Sequence, residues 1–261
     1  MIRPPKKSLG QNFLLDQNIA RKIVESLALT SDDRVLEIGP GYGSLTRWLL
    51  KQQISLTAVE LDKILVSQLE HEFSGNKNFT LVHADFIKVD LNELISDKVR
   101  VVGNIPYHIT SPVIFKILDN CDIIQDMTLM VQREVAERVI AQPNTKAYGI
   151  LSINSQAFAD PRILFRVPKT VFKPRPKVDS AVVRWVLNPI RKEKIKDYQF
   201  FQRLVKTAFN QRRKMLRNAM SEFIENLDPD KLDLDLQKRP ENLSVGEWVD
   251  LSNRLTELQK R

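Results

Sequence analysis

The first half of this chain alternates short apolar runs with stretches of helical spacing, and that alternation restricts the possible folds more than any other feature. Residues 34–38 read as a buried strand that breaks at Gly39-Pro40-Gly41, and residues 44–52 follow with helical periodicity. The pattern recurs as strand 56–60, helix 64–73 and strand 79–83, then as strands 99–103 and 127–131. Ser111-Pro112 reads as the start of a helix between the last two, with Ser111 as N-cap and Pro112 at the first helical position. A helix over residues 18–29, capped by Asp16, precedes the series. Strands that alternate with helices make a parallel sheet covered on both faces, with right-handed crossovers. The expectation is an α/β fold with a doubly wound, Rossmann-like sheet.

Past that region the periodicity changes. Residues 181–187 alternate as an outer strand, and Asn188-Pro189 interrupts them. Helical patterns then occupy residues 198–224 and 244–258, the second with Ser244 and Glu247 at capping-box spacing. Leu204, Ala208 and Met215 fall on the buried side of the first of these helices. Two domains are therefore expected: a catalytic domain over residues 1–187 and a small α-helical domain over residues 188–261.

Charge is polarised along the chain. It carries 40 Lys or Arg against 32 Asp or Glu, a formal net charge of +8 that favours a polyanionic partner. Residues 162–217 hold 17 of those cations against three acids, whereas residues 222–235 are acidic, as expected if one side of the molecule faces nucleic acid. A merely solvated surface is the plainer alternative. No apolar run is long enough to cross a membrane, and the basic N-terminus lacks the apolar stretch of a signal peptide. Cys121 has no intrachain partner, so a reducing cytoplasm is expected, and three scattered His offer no metal cluster. Nothing in the pattern calls for an obligate oligomer; a monomer is expected.

The loop at Gly39 and Gly41 lets the backbone turn tightly and approach a ligand, next to the free N–H groups of a helix start. The dinucleotide fingerprint fails here, because no third glycine stands at the required spacing. Glu37 on the preceding strand would also repel a pyrophosphate. S-adenosylmethionine has no phosphate and carries positive charge, so it tolerates such an acid. Glu60, at the end of the second strand, is placed to accept from both ribose hydroxyls. Asp85, after the third strand, is placed to accept from the adenine amine, with Phe86 against the ring. Asp62 reads as a helix cap or a solvated loop residue.

Asn104-Ile105-Pro106-Tyr107 follows the fourth strand. An exocyclic adenine amine is a poor nucleophile because its lone pair is delocalised into the ring. The Asn104 side-chain oxygen and the Ile105 carbonyl can accept its two N–H bonds, favouring a pyramidal nitrogen and stabilising the charge that develops on methyl transfer. Pro106 rigidifies the turn and Tyr107 can stack on an extruded base. The tetrapeptide is also compatible with a simple turn before a helix, with Tyr107 in the core. His108 is given no catalytic role.

These residues resemble the N/D/S-P-P-Y/F/W motif of amino methyltransferases, in the N-[IL]-P-[YF] form of ribosomal RNA adenine dimethyltransferases. Lys7-Ser8-Leu9-Gly10-Gln11-Asn12-Phe13-Leu14 is similar to the K-x-x-G-Q-N-F-L segment of the small-subunit (16S) members of that family, whose bacterial representatives determine kasugamycin sensitivity. The resemblance implies that Asn12 and Leu14 touch the cofactor. Residues 172–180 resemble F-x-P-x-P-x-V-x-S, which implies a loop bordering the target base. Phe172 then offers an aromatic edge opposite Tyr107, or else anchors the loop in the core. Residues 209–217 resemble F-x-x-R-R-K-x-L-x-N, which implies that Arg212, Arg213, Lys214 and Arg217 meet RNA phosphates. Residues 239–244 resemble the family's terminal helix start.

The resemblance spans nearly the whole chain. It implies a class I S-adenosylmethionine-dependent methyltransferase that dimethylates N6 of two adjacent adenosines near the 3′ end of 16S ribosomal RNA. The small ribosomal subunit is then the partner, and small-subunit biogenesis the setting. The alternatives are a large-subunit dimethyltransferase of the macrolide-resistance type, a DNA adenine methyltransferase, and a non-catalytic ribosome-assembly factor. A degenerate binder would be expected to have lost Asn104, Glu60 or the glycines, and all are present.

Overall fold

A computed structural model of the protein describes residues 10–225, 227–228 and 232–259. Lys7, Ser8 and Leu9 of the N-terminal segment, and part of the acidic stretch, lie outside the described residues. After β1 (Phe13–Leu14) and α1 (Gln17–Ser26) comes the alternating series: β2 (Arg34–Ile38), α2 (Thr46–Leu50), β3 (Ser55–Glu60), α3 (Lys63–Phe73), β4 (Phe79–His83), α4 (Leu91–Leu94), β5 (Val99–Asn104), α5 (Thr110–Asp119) and β6 (Ile124–Gln132). The chain continues through α6 (Arg133–Val139), α7 (Ile150–Phe158), β7 (Ala159–Val167), β8 (Phe172–Lys173) and β9 (Ser180–Leu187). It then turns helical, with α8 (Pro189–Glu193), α9 (Tyr198–Asn210), α10 (Leu216–Ala219), α11 (Ser221–Ile224) and α12 (Val245–Leu258).

The chain divides into two compact units. The first comprises the residues up to Ala136 together with Arg162–Leu187. Its sheet runs β4-β3-β2-β5-β6-β9-β7, and β2 pairs in parallel with both β3 and β5. The pairs β3–β4 and β5–β6 are parallel as well, while β6 and β9 are antiparallel. Lying between β2 and β6, β5 is buried from Val99 to Gly103, with Arg100 its one charged residue. Strand order reverses between β2 and β5, the switch point at which open α/β sheets bind ligands. On one face Ala20, Ile23 and Val24 of α1, with Leu27 just after it, join a core cluster with Val35, Leu56, Val102 and Val182. Asp16 caps α1 by accepting from the backbone N–H groups of Asn18 and Ile19 (2.8 and 3.1 Å), a bond set worth about 1 kcal/mol.

The second unit holds Glu137–Pro161 and the chain from Asn188 onward. This corrects the expected boundary: residue 187 does end the first unit, but residues 137–161 belong with the helical one. The reason is α7, which buries Ile153, Ala157 and Phe158 and packs against α9 and α12. Trp248, Tyr148 and Phe201 complete a fully buried aromatic core there. Ser244 and Glu247 form the expected capping box at α12, with each backbone N–H bonded to the other side chain.

Three local expectations fail for identifiable reasons. The long helix over residues 198–224 ends at Asn210, because the N–H groups of Leu216 and Arg217 bond the carbonyls of Lys238 and Leu236 instead of continuing the helix. Met215 precedes α10 and is 40% exposed, not buried. Ser111 is not a cap; a tight turn at Tyr107–Ile109 leads directly into α5 at Thr110, and no side chain caps it. Strand β7 was not anticipated; it carries Pro161, and its place at the sheet edge is where a proline is tolerated.

Candidate active site

A cavity of about 390 Å³ opens at the carboxyl ends of β2, β3, β4 and β5, entirely within the first unit. Gly39 and Gly41 form its floor with φ of +63° and +60°, a left-handed conformation that side chains rarely adopt. At Gly41 a β-carbon would also press to within 3.2 Å of the Phe13 ring. The turn brings the Gly41 N–H onto Glu60 Oε2 at 3.1 Å, while the Asp62 N–H donates to Glu60 Oε1 at 2.8 Å. Glu60 is thereby fixed at the end of β3, 6% exposed, with remaining acceptor capacity on both oxygens. Burial pushes its pKa up, against the lowering effect of those backbone donors. Asp62 caps α3 through the Ile64 N–H, as read from the sequence.

Glu37 lies on the same floor, 1% exposed. Its carboxyl accepts from Thr46 Oγ1 at 2.7 Å, and no cation pairs with it among the described residues. Burial raises its pKa to about 8; the Thr46 hydroxyl works against that rise and the nearby Glu60 charge adds to it. Asp85 and Phe86 line the opposite wall, Asp85 with Oδ1 bonded to the Ile87 N–H at 3.0 Å.

The N-terminal segment closes one side. Strand β1 pairs antiparallel with β8, Leu14 facing Phe172 in register, and Asn12 and Leu14 both line the cavity. Asn104, at the end of β5, donates from Nδ2 to the Asn12 carbonyl at 3.1 Å. That bond orients the amide and leaves Oδ1 as its acceptor. Pro106 lines the cavity beside it. Ile105 is 2% exposed and turns its side chain into the core. Tyr107 is half-buried, its hydroxyl 2.7 Å from Ser180 Oγ; burial raises its pKa, the Ser180 bond opposes this, and the Asp179 charge adds to it.

All eight residues expected to hold a cofactor (Asn12, Leu14, Gly39, Gly41, Glu60, Asp85, Phe86 and Asn104) border this single cavity. Phe172 does not. It is 4% exposed inside the core cluster, so the anchoring alternative holds and no aromatic edge is presented to a base. Arg212 is likewise a correction. Its guanidinium bonds Glu241 at 2.6 Å and the carbonyls of Lys146 and Thr145, which commits three of its five donors inside the second unit. Arg213, Lys214 and Arg217 are exposed and form no ion pair among the described residues.

One residue escaped the sequence reading. Lys116, on α5, donates from Nζ to the carbonyls of Ile87 (2.8 Å) and Val89, and its ammonium lies 5.6 Å from the Phe86 ring centroid. Burial lowers its pKa. It ties down the loop that carries Asp85 and Phe86. Nothing local marks it, because its partners lie 27 and 29 residues away.

The donor set suits a nucleoside that carries positive charge. The lining includes the carboxylates Glu37, Glu60 and Asp85 and offers no Lys or Arg side chain for a pyrophosphate. With this strand order, such a cavity belongs to the Rossmann-like methyltransferases that use S-adenosylmethionine. The ribosomal RNA adenine dimethylase family matches residues 3–257. A protein of Chlorobium phaeobacteroides (strain BS1) named ribosomal RNA small subunit methyltransferase A is 47% identical over 97% of this chain and 94% of its own length. Among solved structures, a dimethyladenosine transferase from Plasmodium falciparum superposes with TM-score 0.80 at 27% identity, covering 95% of this chain and 98% of its own. The 23S rRNA methyltransferase ErmE does so with TM-score 0.64 at 26% identity, covering 94% and 100%. The chain belongs to the ribosomal RNA adenine dimethylase family. It is an S-adenosylmethionine-dependent methyltransferase acting on RNA adenine. No helix among the described residues is long and apolar enough to cross a membrane, and no group of metal-ligating side chains occurs among them.

Proposed function

We propose that this enzyme dimethylates N6 of two adjacent adenosines near the 3′ end of small-subunit ribosomal RNA, acting as a monomer in the cytoplasm without a membrane partner. The observation that supports it best is the orientation of Asn104. With Nδ2 committed to the Asn12 carbonyl, Oδ1 is the atom available to accept from an incoming amine. S-adenosylmethionine supplies an electrophilic methyl group on a sulfonium.

Every other part of the chemistry falls to the chain. Glu60 holds the ribose diol, Asp85 the adenine amine of the cofactor, and Phe86 its ring face. Asn12 and Leu14 close the cavity from the N-terminal side, and Gly39 and Gly41 bring backbone close to the ligand. Asn104 Oδ1 and the Ile105 carbonyl accept the two N–H bonds of the target amine, which localises its lone pair and stabilises the charge that builds on nitrogen. No strong base is required beforehand, because the amine proton becomes acidic only as the methyl arrives. Pro106 keeps the turn rigid, and Tyr107 stacks on the extruded base. In the helical unit, Arg213, Lys214 and Arg217 contact RNA phosphates, while Arg212 is paired with Glu241.

The small-subunit choice rests on the relative from Chlorobium phaeobacteroides, which has small-subunit methyltransferase in its name and matches nearly end to end. The likeness to ErmE keeps a large-subunit target as the competing reading. Incubation with labelled cofactor and, separately, unmethylated small subunits, large subunits and duplex DNA distinguishes them. Label on two adjacent adenosines of the small subunit is the expected outcome; label confined to the large subunit or to DNA would overturn the assignment.

A further inference from the structure

The phosphate contacts expected by name from the sequence all lie on the helical unit, yet further exposed cations stand on β8 and on the loop that joins it to β9. Lys173, Arg175 and Lys177 are exposed there and form no ion pair with any acid among the described residues. The one acid of the loop, Asp179, is already engaged: Oδ1 accepts from the Lys169 N–H at 3.0 Å and its carbonyl from the Arg133 N–H at 3.0 Å. The loop thus presents three exposed positive charges against the single carboxylate of Asp179, which is turned to the Lys169 N–H.

It is also held at several points. Strand β8 pairs with β1, the strand that walls the cavity. Pro176 is buried, and Lys169 Nζ donates to the Lys177 carbonyl at 3.3 Å. At the far end Ser180, fully buried, bonds the Tyr107 hydroxyl at 2.7 Å. Two prolines and these anchors limit the entropy lost when the loop engages a ligand. Val178 stands among the cations, 43% exposed, and offers an apolar contact to a sugar or base face.

We propose that Lys173, Arg175 and Lys177 grip the phosphates of single-stranded RNA flanking the target adenosine, and that Ser180 couples this grip to the position of Tyr107. A row of fixed cations tied to the ring that meets the base matches a flexible polyanion whose base is extruded, because such a strand places phosphates on both sides of the flipped nucleotide. The inference rests on the proposed RNA target only in requiring an RNA strand at the cavity; it does not depend on which subunit supplies it.

The test is binding of a short unmethylated single-stranded RNA with adjacent adenosines to the full-length protein, measured across salt. In K173Q/R175Q/K177Q the slope of log affinity against log salt should fall by about 2, three contacts at roughly 0.7 each, and affinity near 0.1 M salt should drop on the order of tenfold. S-adenosylmethionine binding should match the wild type, which reports that the cavity is intact. Should the substitution unfold the protein, the single variant Arg175→Gln gives the same readout at about a third of the size. In saturating RNA Ser180→Ala should lower kcat, and Ser180→Thr, which keeps the hydroxyl, should restore part of it. An unchanged salt slope and affinity would overturn the phosphate grip, and an unchanged kcat in Ser180→Ala would overturn the coupling. A large-subunit target would refute the proposed function yet leave the binding result as stated.

Discussion

The two ends of the parallel sheet both bury charge, and they treat it in opposite ways. At the amino-terminal end Arg100 of β5 and Asp126 of β6 are 5% and 1% exposed, joined by two hydrogen bonds of 3.0 and 2.8 Å. Arg184 of β9 adds a bond to Asp126, Asp33 accepts from Arg100 at 3.3 Å, and the Leu27 carbonyl takes a further guanidinium N–H at 2.6 Å. Burial lowers the pKa of Arg100, but the bonds and charge of Asp126 and Asp33 more than offset it, so the net shift is upward. Two cations face two anions, and the network is complete within the fold. At the carboxyl-terminal end Glu37 and Glu60 are buried with only a hydroxyl and backbone N–H groups for company, and both carboxyls are pushed toward their neutral forms. One end is satisfied by the protein itself. The other becomes favourable when a positively charged ligand arrives.

The contrast predicts which substitutions damage the fold and which damage the reaction. Asp126→Ala leaves two arginines without their shared carboxylate, one of them buried. It should cost about 3–5 kcal/mol of stability in denaturant unfolding, the usual penalty for breaking a buried pair from one side. Retention of wild-type stability would mean that the network is not what holds that end. Asn104→Ala, at the other end, should leave the unfolding midpoint within experimental scatter. Its methyl transfer should fall by roughly 10²–10³-fold, the scale for removing one hydrogen-bond partner of a developing charge. A variant that binds cofactor and RNA normally and still turns over at the wild-type rate would remove Asn104 from the chemistry.

Much of this layout can be read from residues close together in the chain. The strands from β2 to β6 stand out because apolar and β-branched residues dominate each of them between helical stretches, and the glycine loop announces itself by its break after Ile38. Glu60 and Asp85 are legible because one ends β3 and the other follows β4 closely. What sequence did not disclose depends on partners far along the chain. Arg212 looks like its exposed neighbours until Glu241, 29 residues on, is found against it. Phe172 could have faced solvent or core, and only the pairing of β8 with β1 decides between them. Strand β7 was hidden by Pro161, which a central strand would reject and an edge accepts. Ser180 and Lys116 act across 73 residues and nearly 30, respectively, and no local spacing points to either contact.

The comparison between the two ends turns on whether charge at the carboxyl-terminal end is kept for a ligand at the expense of the empty fold, and Glu37 tests this most directly. Its folded-state pKa of about 8 lies above the ordinary 4.5, so the native protein holds an extra proton between those values. Stability therefore falls as pH rises through that window, and the whole penalty is present above it. Unfolding of the wild type and of Glu37→Gln at about pH 9, each with and without S-adenosylmethionine, reads both halves of the claim at once. The ligand-free variant should be the more stable of the two, and the cofactor should stabilise it less, with affinity reduced about tenfold, equivalent to 1.4 kcal/mol. A variant no more stable than the wild type, and stabilised equally by the cofactor, would contradict it.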